Sequence, residues 1–166
     1  MEFVLKIVPA LLLVSIIALV AYFVDITRKK VSCDKMSFRE IMDLCDLPIV
    51  TFISNERKLN FLLDTGSSKS VIDKNIINGL KYEALNTACS IYGLDGKKQT
   101  VPIVGIPLYY KGKCYNEEFQ VLDMSAPFNN LKTDFGVNLH GILSSTFFQK
   151  YRYILNFDEL VAYSMV

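Results

Sequence analysis

The acid at position 64 stands in unusual company. In Leu62-Leu63-Asp64-Thr65-Gly66-Ser67-Ser68-Lys69-Ser70-Val71-Ile72 a carboxylate directly follows two apolar residues and precedes a hydroxyl, a glycine and two more hydroxyls. That order puts Asp64 at a strand terminus, in a turn where neighbouring hydroxyls can hydrogen-bond it and Gly66 lets the backbone bend tightly. A carboxylate so placed is suited to general acid–base chemistry. The plain alternative is a turn in which Asp64 only closes the strand end. Cys33, Cys45, Cys89 and Cys114 form no Cys-x-x-Cys pair, and with His140 the only histidine no metal site is expected. Nothing pairs His140 with a nucleophile, so it is read as a loop or surface residue. A net charge of +1 and no basic stripe interleaved with aromatics argue against a nucleic-acid partner.

The same stretch resembles the active-site signature of the retropepsin-like aspartic proteases: two apolar residues, Asp-Thr-Gly-Ser, two variable positions, a hydroxyl residue and an apolar pair. The resemblance implies a mainly β fold, a closed retropepsin-like (acid protease) β-barrel with one short C-terminal helix. It also implies Asp64, Thr65 and Gly66 as the catalytic triplet, with Ser67 as a hydrogen-bond partner of the carboxylate. Hydrolysis in that family needs two carboxyl groups that share one proton, one acting as base on a water while the other polarises the scissile carbonyl. Their titration belongs to the pair, because both cannot easily ionise side by side. Water is the nucleophile, so no cofactor is implied.

A second stretch, His140 to Phe157, is similar to the family's second signature, Gly-Ile-Leu-Gly-x-Asp-Phe-Leu. Gly141, Ile142, Leu143 and Phe147 match it, whereas Ser144 stands in place of the second glycine and Thr146 in place of the acid. In the family that glycine permits close backbone approach beside the catalytic loop. Ser144 or Ser145 also suits the cap of a helix beginning near Thr146. By the same resemblance Gly93, Leu94, Asp95 and Gly96 fall at the tip of a substrate-covering flap, although such glycines also make an ordinary hairpin turn. The chain holds one Asp-Thr-Gly. The family's short members build the dyad from two subunits, so a C2 homodimer with Asp64 of each protomer at the axis is implied, Thr65 reaching across to the partner loop.

These residues need strands to position them, and the pattern supplies candidates. Ile49–Ser54 and Lys58–Asp64 are apolar, β-branched and aromatic runs separated by Asn55-Glu56-Arg57, a hairpin signal, and the second run delivers Asp64. Ala88–Leu94, Thr100–Tyr110 and Cys114–Leu122 are further strand candidates, the last two joined around Lys111-Gly112-Lys113. Residues 72–80 fit a short helix or turn. Ser37 and Glu40 suggest a capping box for a short amphipathic helix, read as a stalk or else a dimer contact.

Ile7 to Val24 contains no charged residue. A helix of that length spans roughly 27 Å, near the hydrocarbon thickness of a bilayer. The run lacks a small-x-small cleavage pattern and is long for a signal core, so a retained single-pass anchor is expected. Arg28, Lys29 and Lys30 follow it against Lys6 before it, which favours a cytoplasmic domain, with an exported one as the alternative. Reduced thiols fit the cytosolic side, whereas the even cysteine count leaves two disulfides open on the other. The expected organisation is an anchor over residues 1–30, a stalk over 31–47 and a protease domain over 48–166. The expected activity is that of a membrane-anchored aspartic endopeptidase on peptide or protein substrates. Two rivals stand beside it: the same fold kept as a non-catalytic peptide-binding or dimerisation module, and a tethered structural protein whose motif is accidental.

Overall fold

A computed structural model describes residues 13–24, 35–92 and 98–165. The chain divides into two compact units, Met1–Lys35 and Met36–Val166. In the first, residues 13–24 form a helix, α1, with exposed side chains. The expected span begins at Ile7, and its first part and basic flank lie outside the described residues. Among the described residues no helix is long and apolar enough to cross a membrane.

Among the described residues the second unit holds ten strands: β1 (Met36–Ser37), β2 (Ile49–Ser54), β3 (Arg57–Leu63), β4 (Val71–Asp73), β5 (Glu83–Tyr92), β6 (Lys98–Tyr110), β7 (Lys113–Leu122), β8 (Gly141–Leu143), β9 (Tyr153–Asn156) and β10 (Val161–Ser164). Four helices accompany them: α2 (Arg39–Cys45), α3 (Lys74–Ile77), α4 (Ser125–Phe135) and α5 (Ser145–Lys150). Strand order β2-β3-β8-β4-β7-β6, with β2 meeting β6 again through Ile53 and Tyr109, closes a six-stranded ring, and β5 extends it beyond β6. The unit is mainly β and barrel-like.

The first hairpin follows its sequence signal. Asn55 and Glu56 both take positive φ, 49° and 63°, as a two-residue turn matched to the strand twist requires. The alternation of β2 and β3 then turns Val50, Phe52, Leu59, Phe61 and Leu63 inward. Phe52, Phe61, Phe119 and Phe147 are fully buried in one core with Tyr115 and Tyr153. Burying each such ring contributes about 2–3 kcal/mol. Phe147 sits edge-on to Phe52 at 6.1 Å and 5.0 Å from Tyr153, so α5 is pinned to the barrel by its aromatic face.

The segment read as a stalk is part of the domain. β1 pairs antiparallel with β10, Phe38 N–H donates to Leu160 O at 3.1 Å, and the Phe38 side chain is 1% exposed. The compact unit therefore begins at Met36 rather than Pro48. Ser37 lies in β1 instead of opening a capping box, and its Oγ accepts from Arg39 N–H at 3.3 Å. A second addition is α4, where a single short helix near the C-terminus was expected. Asp123 Oδ1 accepts from Ser125 N–H and Oγ–H, and the Met124 N–H donates to Asp73, fixing the helix start. Gly136, at φ 71°, ends it. Phe128 of α4 joins Ile49, Val137 and Leu139 in a smaller core under α2.

Candidate functional site

The aspartate loop owes its shape to β8. This three-residue strand runs parallel to β3 (Phe61–Gly141, Leu62–Ile142, Leu63–Leu143) and antiparallel to β4 (Val71–Ile142, Ile72–Gly141). Residues 64–70 must leave β3, cross the C-terminal end of β8 and return as β4. At the opposite, N-terminal end of the strand there is no room for a side chain. A Cβ on Gly141 would lie 2.5 Å from Val71 O and 2.8 Å from the Phe61 ring.

Asp64 begins the crossing half-buried, its N–H donated to Leu143 O at 3.0 Å. Its Oδ1 accepts from the Gly66 N–H at 2.8 Å, and a Cβ on Gly66 would sit 3.1 Å from that oxygen. Thr65 and Gly66 are exposed at the loop tip. The Ser67 hydroxyl, expected on the carboxylate, donates instead to Lys69 O at 2.9 Å. The backbone amide of Gly66 takes the position expected of it.

Ser67 has a different role through its carbonyl, which accepts from both the N–H and the Oγ–H of Ser145, at 2.9 and 2.8 Å. Ser144 occupies the cap position of α5, yet its side chain makes no capping bond. It is fully buried, its N–H donates to Ser70 Oγ at 3.2 Å, and its own Oγ lies 3.2 Å from Ser70 Oγ and 2.7 Å from Thr146 Oγ1. Ser70 in turn donates to Glu117 Oε1 at 2.7 Å. The serine in place of glycine is thus absorbed into a buried polar cluster. Sequence reasoning singled out Gly141, Ile142, Leu143 and Ser144 beside Asp64; Leu143 and Ser144 touch the loop, whereas Gly141 and Ile142 pair with the strands on either side of it. It missed Glu117, which sits in a strand otherwise read only by its apolar alternation; an acid at an inward position of β7 was the available signal.

Burial raises the Glu117 carboxyl above its ordinary value, against the opposing pull of the Ser70 hydroxyl and of Lys150, whose Nζ lies 3.6 Å from Oε2. His140 lies at the opposite end of β8. Its Nδ1 accepts from Asn60 N–H at 2.9 Å, and its backbone bonds Asn60 and Asp73. Desolvation, followed by the charge of Arg57, holds the imidazole below its usual value, as fits a neutral ring serving as acceptor. The flap residues Gly93, Leu94, Asp95 and Gly96 lie outside the described residues, although β5 and β6 are paired up to Tyr92 and Lys98 on either side. No cluster of His, Cys, Asp and Glu able to hold a metal occurs among the described residues.

Comparison with solved structures gives the class. The chain is similar to EIAV protease complexed with the inhibitor HBY-793, at 24% identity over 65% of this chain and 90% of that one, with a TM-score of 0.47. It is also similar to the retroviral protease-like domain of Ddi1 from Leishmania major, at 11% identity over 72% and 88% of the two chains, with a TM-score of 0.53. The fold is retropepsin-like. No family model matches the sequence, and no curated protein does.

Proposed function

We propose that this chain is a membrane-anchored aspartic endopeptidase whose catalytic dyad forms when the Asp64 loops of two protomers meet on a C2 axis. One observation carries the reading: within a retropepsin-like fold, Asp64 starts an exposed Thr65-Gly66 tip, with one carboxylate oxygen held by the Gly66 amide. A loop presented in this way suits contact with its own copy, and one Asp-Thr-Gly per chain needs such a copy. In the dyad, one Asp64 takes a proton from water while the other, protonated, polarises the peptide carbonyl. Thr65 reaches to the opposite loop, and residues 93–96 cover the substrate.

The apolar run from Ile7 to Val24 supplies the anchor, with the protease domain on the cytoplasmic side. Confinement to a bilayer raises the effective concentration of protomers without new contacts, so activity rises with membrane density. The rival, a non-catalytic peptide-binding or dimerisation module, draws on the Ser67 hydroxyl being engaged with Lys69 rather than with the carboxylate.

The deciding experiment incubates the full chain with a peptide library from acidic to neutral pH, with Asp64→Asn alongside. Cleavage should fall about 10³-fold or more in the variant, with fold and dimer retained. A pepstatin-type transition-state mimic should bind the wild type. Cleavage undiminished in Asp64→Asn would remove Asp64 from the chemistry, whereas peptide binding without hydrolysis or mimic binding would favour the rival.

A further inference from the structure

We propose that Glu117 is a positioning residue for the Asp64 loop, its protonation completing a one-way chain of hydrogen bonds that ends on the Ser68 carbonyl. This deepens the peptidase reading and rests on it for its effect on catalysis.

The geometry is a row of four links. Glu117 Oε1 to Ser70 Oγ is 2.7 Å, Ser70 Oγ to Ser144 Oγ 3.2 Å, Ser144 Oγ to Thr146 Oγ1 2.7 Å, and Thr146 Oγ1 to Ser68 O 3.3 Å. Each link needs one hydrogen. The three hydroxyls supply three, and the Ser68 carbonyl supplies none. With Glu117 ionised, both ends of the row are acceptors, so one link goes without. Ser70 donates to the carboxylate, Ser144 to Ser70 and Thr146 to Ser144, which leaves the Ser68 carbonyl to solvent. The longest link, at the exposed end, is the one released.

Protonation reverses the row. Glu117 then donates to Ser70, Ser70 to Ser144, Ser144 to Thr146 and Thr146 to the Ser68 carbonyl, so that every link holds a hydrogen. Ser70 Oγ still accepts the Ser144 N–H on its second lone pair. Ser68 lies in the loop that begins at Asp64, so the acid form of Glu117 tethers that loop at a point the ionised form lets go.

The surroundings set the balance. Glu117 is 4% exposed, and desolvation favours its neutral form. The titratable groups around it are Lys150 of α5, Tyr151 just past that helix and Glu118 of its own strand; Lys150 pulls toward the ionised form and Glu118 away from it. Across β6 its register partner is the apolar Ile106. Glu117, Thr146, Lys69 and Lys150 line a cavity of about 340 Å³, which gives solvent protons a route to the carboxyl.

Glu117→Gln tests the chain, because the amide donates to Ser70 at every pH and so mimics the acid form. Two readouts on the full chain are needed: the pH profile of kcat and KM for a cleaved peptide, and Tm against pH. The alkaline limb of kcat should move to higher pH in Glu117→Gln, with KM unaltered. The folded state binds the Glu117 proton more tightly than the unfolded chain. Wild-type stability therefore falls, relative to the variant, as pH rises above the unfolded value of about 4.3 and through the raised folded one. Ser144→Gly cuts the row in its middle; in that background the shift of the limb should disappear, and the Tm difference should shrink to the part that burial of Glu117 alone sustains. An unmoved limb with a flat Tm difference overturns the proposal. So does a shift that survives Ser144→Gly, since Glu117 would then act by its charge alone. Were the full chain to cleave nothing at any pH, the peptidase reading would fail, and a Tm difference that shrinks or stays unchanged in Ser144→Gly would still decide whether the row exists.

Discussion

The two ends of β8 meet the same crowding in opposite ways. At Gly141 the neighbouring strands close in until a Cβ would strike backbone and ring atoms, and only the absence of a side chain lets them pair. At Ser144, one residue past the other end, the space beneath the loop is filled by a hydroxyl that finds two polar neighbours, Ser70 and Thr146. Close approach between two segments can be met by deleting a side chain or by giving it hydrogen bonds, and this strand uses one remedy at each end.

The contrast breaks first at Gly141. Gly141→Ala should cost about 3 kcal/mol, because the contact atoms belong to the Val71 backbone and to a fully buried Phe61 that cannot turn aside. A urea titration should show the midpoint dropping with an unchanged slope. A near-neutral result would mean that the strands can separate, and the two ends would no longer differ. Ser144→Ala is the milder case. It leaves the Ser144 N–H bond to Ser70 but removes the buried hydroxyl, so the same titration should lose about 1–2 kcal/mol.

The smallest effect concerns His140, immediately before the glycine. Its lowered pKa means that the fold favours the neutral ring, so stability is fully present above the unfolded value, ordinarily 6.5, and declines as pH falls through the folded one. Wild-type Tm should sag on acidification through that range, and His140→Gln should flatten the sag. A sag that persisted in the variant would place the titrating group elsewhere.

Much of this architecture could be read in the sequence because it is locally encoded. The β2–β3 hairpin carries its turn residues and its alternation in one short window, and the Asp64 motif sits where the second strand must end. What stayed hidden depends on partners far along the chain. Nothing near Glu117 announces that it will meet Ser70, nor does anything near Ser144 show that its hydroxyl will turn away from the helix it precedes. A cap was the local expectation for Ser144, and tertiary hydrogen bonds won. Helix α4 escaped because Met124, without a capping side chain, holds the position just before it; the Asp123–Ser125 pair and Gly136 mark its ends in retrospect. Met36 to Cys45 reads locally as a spacer because its two-residue strand is too short to show a period and needs the far C-terminus to pair.

The barrel closes where Ile53 faces Tyr109, a seam made by a single pair of residues whose side chains are both open to water. Around the ring, that seam lies opposite the junction of β8 and β4. The thinnest join of the ring is thus set as far as the strand order allows from the strands that hold the acid-bearing loop.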